Sequence, residues 1–273
     1  MRKFKKIKTD KLLLVFSIIL ILLLLCIVFA PYVTVHDPNS QDIPNKLLKP
    51  SFQHILGTDL LGRDIFSRIV FGGRTTILLS ILIVISIILG GVIFGSISGM
   101  SDGIFDRMIV KICDWLLSLP SEMLSLIMIG ILGPSMLTII LALTLVRWPW
   151  YIKMIRSEIK VIRSKNYVLF SVGSGKNKLW IYYHHVLRQL LRSIIVYATL
   201  DLSTVVMSIS ALSFLGIGIQ PPTPEWGTML NDAREVSVIN PWQMIPPGMV
   251  LFLVIGMLNY ISDFINEQFY QKN

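Results

Sequence analysis

The chain has 273 residues, 53% of them hydrophobic, a mean hydropathy of +0.69 and a net charge of +9. A soluble domain of this size could not bury so much apolar surface, so the composition predicts an all-α protein that crosses the membrane several times. The positive charge lies at the N-terminus and in one long loop, without any nucleic-acid-binding motif. It therefore predicts a cytoplasmic membrane face and no nucleic-acid partner.

The first predicted span is Leu12–Ala30, an uncharged run of 19 residues that follows a basic N-terminus. At about 1.5 Å per residue it is just long enough to cross a ~30 Å hydrocarbon layer. The run exceeds the apolar core of a cleavable signal, which has roughly 7–15 residues, so we expect an uncleaved helix. Residues 31–73 are then external. In this segment Gly57 and Gly62, each closely followed by a carboxylate, predict an ordered loop at the membrane surface.

Six spans with both termini in the cytoplasm are expected in all. We expect two parts: residues 1–72 with the first span and the external loop, and residues 73–273 with five spans. A cytoplasmic loop at about residues 152–192 belongs to the second part. The spans after the first are expected at about residues 76–95, 109–132, 136–151, 193–217 and 246–261.

Small and acidic residues interrupt these apolar runs. Glycines recur every four residues along the second span and its end, at Gly91, Gly95 and Gly99, which predicts the close approach of another helix. Three acids fall within predicted spans, and an intramembrane acid is costly unless it faces protein or water. They are Asp114, Glu122 and Asp201.

The first two of these acids lie with Pro120 in the third span, which we therefore expect to line the interior of the protein. Asp201 lies about one-third of the way along the fifth span. At that position an inter-helix bond and a role in a translocation pathway are both open.

The basic segment Arg147–Arg192 organises the chain, because it lies between two apolar runs and contains ten of the 25 Lys and Arg residues. Apolar patches at residues 167–170 and 179–183 flank the break Gly173–Gly175, which predicts two short helices with a glycine elbow. Such a surface, exposed to the cytosol, is typical of docking to a soluble partner. Amphipathic segments lying on anionic lipid are the alternative.

Catalytic motifs are missing from the sequence. The run Ser174–Asn177 imitates a phosphate loop, but Phe170 stands where its first glycine is needed and Asn177 where Ser or Thr is needed. No metalloprotease, serine-hydrolase or CxxC motif occurs, so we expect no catalytic residue, cofactor or metal-ligand set. His36 and His54 are external and within reach of a substrate, but two scattered histidines define no site.

Four motifs carry a resemblance to a known family: Leu56–Ile65 with Ser67–Arg68, Ala198–Asp201, Ser213–Gly218 and Pro221–Gly227. Over nearly its whole length the chain resembles the C-type permease subunits of bacterial peptide and nickel ABC importers. The resemblance implies a type I ABC importer permease fold in the bacterial cytoplasmic membrane, without catalysis in this subunit. The partners it implies are a second homologous permease subunit, two ABC ATPase subunits, an extracytoplasmic solute-binding protein and membrane lipid.

In that family the cytoplasmic loop carries an "EAA…G" coupling segment that fits a groove on the ATPase subunit. Here the glycine falls on Gly175, and Leu169–Ser171 stands in place of Glu-Ala-Ala. The absence of the glutamate of Glu-Ala-Ala and the segments 147–151 and 226–234 make the chain look similar to the nickel branch. Nickel or a metal chelate is therefore expected ahead of peptides. The competing class is an ion-coupled secondary transporter. The resemblance assigns ATPase coupling to Tyr167, Leu169, Phe170, Ser171, Gly173 and Gly175.

Overall fold

The computed structural model describes residues 11–270. Within this range the chain is helical, and an isolated bridge between Thr58 and Asp64 is the nearest approach to a strand. The all-α prediction is confirmed. The α-helices are α1 (Lys11–Val28), α2 (Ala30–Val33), α3 (Ile65–Met100), α4 (Ile104–Leu117), α5 (Ser121–Leu132), α6 (Met136–Arg163), α7 (Asn166–Gly173), α8 (Lys178–Ile181), α9 (Leu187–Phe214), α10 (Trp226–Arg234) and α11 (Ile245–Tyr270).

Four helical stretches of the described chain are long and apolar enough to cross a membrane: α3, α6, Lys178–Phe214 and Pro241–Glu267. The pair α4 and α5 adds a fifth if it is counted as one bent span, and α1 is a shorter apolar helix. The six predicted spans are compatible with this set. The basic cluster at residues 2–8 and the last three residues, which bear on the predicted cytoplasmic termini, lie outside the described residues.

The third predicted span is bent. α4 and α5 meet at 86°, and the break contains Pro120, which caps the start of α5. Proline has no N–H for the helical ladder, and its ring disfavours helical geometry at the preceding Leu119. This apolar run therefore does not form one straight helix. Hydropathy predicts that a segment is apolar but not whether it bends.

The chain folds as two compact units. One comprises the residues up to Thr76 together with those from Pro221 onward, and the other is Ile77–Gln220. In the first unit α1 packs against α11, where the ring of Phe16 meets that of Tyr260 edge-on at 5.2 Å. The predicted division of the chain after residue 72 stays a prediction.

The polar loop before α3 is ordered, as predicted. Gly57 and Gly62 have φ angles of +83° and +74°, a conformation that glycine adopts without strain. Asp59 Oδ1 accepts hydrogen bonds of 2.9 Å from the backbone N–H groups of Leu61 and Arg63. The Arg63 guanidinium donates to Asp59 Oδ2 at 2.6 Å and to Asp232 Oδ2 at 2.9 Å, so it ties the loop to α10.

The residues at the start of α10 are buried in the same unit. Trp226 is fully buried and donates its indole N–H to the carbonyl of Ile69 at 2.9 Å. Its ring lies so close to Gly73 that a Cβ there would be 2.7 Å from it. Glu225 caps α10 by accepting from the backbone N–H of Thr228 at 2.9 Å. The tryptophan motif therefore holds α10 against α3 within this unit.

The predicted small-residue stripe on α3 is confirmed, and the helix that approaches it is α6. Without side chains at these positions the two backbones come close enough for α6 side chains to rest on α3. The distances from an added Cβ to the facing Cβ would be 2.6 Å at Gly91 (to Tyr151), 2.9 Å at Gly95 (to Ile155) and 2.8 Å at Gly99 (to Ile159).

We expect Gly91→Ala to destabilise the protein, although alanine usually favours a helix. The added methyl group would overlap the Tyr151 Cβ, and such overpacking costs about 1–3 kcal/mol. The measurement is the thermal unfolding of the purified protein in detergent.

The matched control is Gly130→Ala on α5, where an added Cβ meets nothing within 4 Å. It should leave the melting temperature unchanged or raise it slightly, since alanine favours a helix by up to about 1 kcal/mol over glycine. Equal effects of the two substitutions would contradict the close contact of α3 with α6.

Candidate coupling surface and inter-helix charges

The basic loop contains the glycine elbow and the first short helix that the sequence predicts, whereas the second, α8, continues through residues 182–186 into α9 as one helical stretch. α7 ends at Gly173, and Gly175 has a φ of +79° with its N–H bonded to the Val172 carbonyl at 3.0 Å. α8 then starts with Asn177 as its cap, whose side chain accepts from the N–H of Trp180 at 2.8 Å. We call residues 167–183 the elbow surface.

The elbow surface presents large apolar side chains to its surroundings. Val168, Ile181 and Val186 point inward and join the hydrophobic core of the second unit. A cluster of exposed apolar groups around a rigid turn is typical of a protein–protein interface. The outward residues, with their exposed fractions, are Tyr167 (41%), Leu169 (54%), Phe170 (77%), Val172 (54%), Leu179 (69%) and Tyr183 (62%).

Polar contacts connect α7, which precedes the elbow, to the helical stretch that follows it. Ser171 Oγ lies 3.0 Å from His185 Nε2, and the His185 ring meets the Tyr167 ring edge-on at 5.3 Å. Gln189 donates to the Tyr167 hydroxyl at 2.5 Å. Two of the predicted coupling residues, Tyr167 and Ser171, are thus held in place by His185 and Gln189. The sequence analysis did not predict this positioning role of His185.

Opposite charges pair along the neighbouring helices α4 and α6. The basic side chains are spaced three or four residues apart, so they share one face of α6, and the acids likewise recur at multiples of four. The two helices run antiparallel with matching registers. The ion pairs are Arg163–Asp102 at 2.7 Å, Lys160–Asp106 at 2.6 Å, Arg156–Asp106 at 2.5 Å and Lys153–Asp114 at 2.5 Å.

Asp106 is the most buried acid of this ladder, with 4% of its surface exposed. Two N–H groups of Arg156, the ammonium group of Lys160 and the Ser98 hydroxyl all donate to its carboxylate. In the turn before α4, the hydrogen bond from Arg163 holds the pKa of Asp102 below its ordinary value. Sequence reasoning missed this ladder, although the spacing of the charges on both helices could have revealed it.

Asp201 on α9 is bonded to Arg147, which lies inside α6 and not in a loop. Arg147 Nη1 donates to Asp201 Oδ1 at 3.2 Å and to Thr204 Oγ1 at 3.2 Å. Its other amino group lies 3.4 Å from Ser208 Oγ. The side chains of Arg147 and Asp201 are 25% and 19% exposed, so the pair is largely shielded from water. Asp201 therefore forms a bond between α6 and α9, and its role in a translocation pathway stays a prediction.

The other two predicted acids have separate partners, so the structure does not gather the three into one site. Asp114 is 53% exposed and pairs with Lys153. Glu122 is exposed in the first turn of α5, where an acid is favoured by the helix dipole, and it accepts from Ser121 at 2.9 Å. Both acids are accessible on this subunit.

Most of the chain matches a known protein family. Residues 91–273 match the family described as "Binding-protein-dependent transport system inner membrane component". The chain belongs to this family. Residues 2–50 also match the N-terminal transmembrane domain of oligopeptide transport permease C. The C-type permease resemblance of the sequence is confirmed, and the ion-coupled secondary transporter is set aside.

Curated relatives of the permease cover most of its length. The nickel transport system permease protein of Escherichia coli K12 is 34% identical over 250 residues, 92% of this chain and 90% of the relative. The metal-staphylopine import system permease protein of Staphylococcus aureus is 40% identical over 234 residues, with 86% and 81% covered. The dipeptide transport system permease protein of Alkalihalophilus pseudofirmus is 35% identical over 264 residues, with 97% and 87% covered.

The family settles the general role of the permease. It is a multi-pass component of the bacterial plasma membrane and serves an ABC importer. It is not an enzyme, because separate ATPase subunits hydrolyse ATP in such importers.

We expect Arg147 and Asp201 to stabilise the permease as a pair. Arg147→Gln or Asp201→Asn alone should each cost about 1–3 kcal/mol, because either leaves a largely shielded charge without its partner. The double variant should lose less than the sum of the two, by at least ~0.5 kcal/mol. Thermal unfolding of the purified permease gives these differences.

Lys153→Gln with Asp114→Asn is the matched control, since that pair is about half exposed. Its coupling energy should be small, about 0–1 kcal/mol. Strictly additive losses for the Arg147 and Asp201 variants would contradict the stabilising pair.

Proposed function

We propose that this permease imports nickel, or a nickel-like metal held by a small chelator, across the bacterial plasma membrane. A second homologous permease would complete the translocation path. Two ABC ATPases would bind on the cytoplasmic side and a solute-binding protein on the outer side. The observation that carries the cargo assignment is the similarity to the metal-staphylopine permease, at 40% identity over 234 residues, together with the nickel permease.

The chemistry of the spanning helices favours a chelate over a bare ion. Divalent nickel prefers imidazole or thiolate ligands. Within the spanning helices of the described chain, no three His, Cys, Asp or Glu side chains come close enough to hold an ion. An ion whose ligands come from its chelator needs no such cage, and the path then only has to be wide and weakly interacting.

The elbow surface is the part that we propose to couple ATP hydrolysis to transport. Closure of the ATPases would push Leu169 and Phe170 inward together with the elbow at Gly175. α6 and α9 flank this surface, so the push would shift the path between inward and outward access. Residues 73–273 would form the moving core. This arrangement requires the elbow surface and both termini to be cytoplasmic.

The second candidate cargo is a peptide. The dipeptide permease of Alkalihalophilus pseudofirmus is 35% identical and covers 97% of this chain, the broadest overlap among the relatives named above. A wide path without metal ligands also suits a peptide. The two cargo classes therefore have to be separated by transport measurements.

We expect Gly175→Val to abolish substrate-stimulated ATP hydrolysis by the assembled importer without blocking membrane insertion. Valine resists a φ of +79°, at about 1–2 kcal/mol for an L-residue in left-handed geometry. Its side chain would also project from the elbow toward the ATPase. The measurement is ATPase activity of the reconstituted importer with its loaded binding protein.

Gly133→Val is the matched control, because Gly133 has a φ of +81° and, like Gly175, no neighbour within 4 Å of an added Cβ. It would strain the backbone of the turn between α5 and α6, where φ is +81° and ψ is 156°, a region that is almost restricted to glycine, and it would do so away from the elbow surface. Stimulated ATP hydrolysis should persist in this variant. Normal stimulation in Gly175→Val would refute the coupling assignment.

For the cargo, we expect labelled nickel to enter vesicles containing the whole importer only when a small chelator such as histidine is present. The comparison is uptake of free nickel, nickel with chelator, and a labelled dipeptide, each with and without ATP. Equal uptake of free and chelated nickel would overturn the chelate hypothesis. Dipeptide uptake without metal uptake would assign the permease to peptides.

A further inference from the structure

Two external histidines that are 18 residues apart in the sequence lie side by side in the structure. The rings of His36 and His54 stack with their centres 4.7 Å apart. Asp64, at the start of α3, lies 3.0 Å from His54 Nδ1. One ligand atom from each of these three residues falls within 4.8 Å of the other two. The two histidines that look scattered in the sequence are therefore neighbours in the structure.

Both imidazole rings are oriented by hydrogen bonds to oxygen acceptors. His36 Nε2 lies 2.9 Å from the carbonyl oxygen of Gln53, which can only accept, so this nitrogen carries the proton. His54 Nδ1 likewise donates to the Asp64 carboxylate. The other nitrogen of each neutral ring then holds the lone pair that a metal ion requires. Metal-binding histidines are characteristically held by a carbonyl or a carboxylate in this way.

The cluster lies in a cleft of about 380 Å³. Asp64 is 4% exposed and His54 16%, so the carboxylate is largely removed from water while the cleft keeps the cluster accessible. Val35, Phe52 and Phe66 also line the cleft and lower its polarity. A carboxylate that is shielded from water attracts a cation more strongly than it would on an open surface.

From this geometry we propose that His36, His54 and Asp64 bind a divalent transition-metal ion on the outer segment of the permease. Imidazole nitrogen and carboxylate oxygen suit nickel, cobalt or zinc better than magnesium or calcium. At metal–ligand distances of about 2.0–2.2 Å, two ligand atoms on one ion are at most about 4.4 Å apart. Ligand atoms of the three residues that lie within 4.8 Å of one another are therefore slightly too far apart to share an ion, so binding requires the side chains to move closer together.

Asp64 is required in either of two arrangements. In one, Asp64 is itself a ligand and His54 adopts the other tautomer, so that its Nδ1 binds the ion beside the carboxylate. In the other, Asp64 accepts the Nδ1 proton and orients His54, whose Nε2 binds the ion together with His36. Three protein ligands leave coordination positions open for water or for a small chelator. The ion site stands on this cluster alone and does not depend on which cargo the importer carries.

Asp64 also has a purely structural role that any test has to preserve. Its Oδ2 accepts from the backbone N–H of Ser67 at 2.8 Å and caps α3. Asparagine caps a helix about as well as aspartate, so Asp64→Asn removes the charge and keeps the cap. His36→Gln and His54→Gln keep polar side chains and remove the imidazoles.

The experiment measures metal binding to the full permease with its affinity tag removed, in detergent and after chelator treatment. Nickel, cobalt and zinc ions are each titrated in equilibrium dialysis with elemental analysis, and cobalt is also followed by its visible absorption spectrum. The unmodified permease should bind one equivalent that the His36→Gln/His54→Gln double variant lacks. Asp64→Asn should weaken that binding by about 10–100-fold.

His184→Gln is the matched control, because His184 is an exposed histidine stacked on Trp180 in the other unit. It should bind the same number of ions as the unmodified permease. Melting temperatures without metal show whether the variants are folded, and added metal should raise the melting temperature only where the cluster is intact. Unchanged binding in a folded double variant or in Asp64→Asn would overturn the site.

The uptake assay separates this site from the proposed cargo. Metal binding at the cluster with transport of peptides alone would leave the site intact and overturn the cargo. Uptake of chelated nickel by a permease that binds no ion at the cluster would overturn the site and leave the cargo intact.

Discussion

The close contact between α3 and α6 is the constraint on which the second unit depends. Gly91 and Gly95 present no side chains, so Tyr151 and Ile155 rest directly on the α3 backbone. The position of α6 is then set along its length, since a helix keeps its register at about 1.5 Å per residue. The charge ladder to α4, the Arg147 bond to α9 and the start of the elbow surface all depend on that position.

Features that are encoded locally could be predicted from the sequence. The apolar runs predicted the positions of the spans, and the glycine stripe predicted a contact with another helix. Gly57, Gly62 and Gly175 predicted turns. Each of these signals belongs to a few neighbouring residues. The elbow and the short helix before it were predictable for the same reason, whereas the continuation of α8 into α9 was not, and the contact of the elbow with an ATPase stays a prediction.

Pairings between distant residues could not be predicted in this way. The partner of Asp201 is 54 positions away, and the spacing of α9 alone does not identify Arg147. His36 and His54 looked scattered because the turn that brings them together is formed by backbone contacts of residues 51–57. The 86° bend at Pro120 was visible as an interruption, but its angle depends on how α5 packs against α6.

The charge ladder changes how the basic segment should be understood. Lys153, Arg156, Lys160 and Arg163 count toward a positive loop in the sequence, yet each has an acidic partner on or just before α4. Their positive charge is largely neutralised by these acids within the subunit. The elbow surface keeps the exposed bases Lys176 and Lys178 beside its apolar side chains, so its recognition should combine hydrophobic contact with attraction to an acidic surface.

An apolar surface of this kind has a consequence for the life of the subunit before assembly. Phe170 and Leu179 are 77% and 69% exposed in the isolated chain. If an ATPase covers this patch as we propose, a permease made in excess of that partner would carry it uncovered, which favours self-association and recognition by quality-control proteases. Balanced synthesis of the importer's subunits would then keep the patch covered and protect the permease.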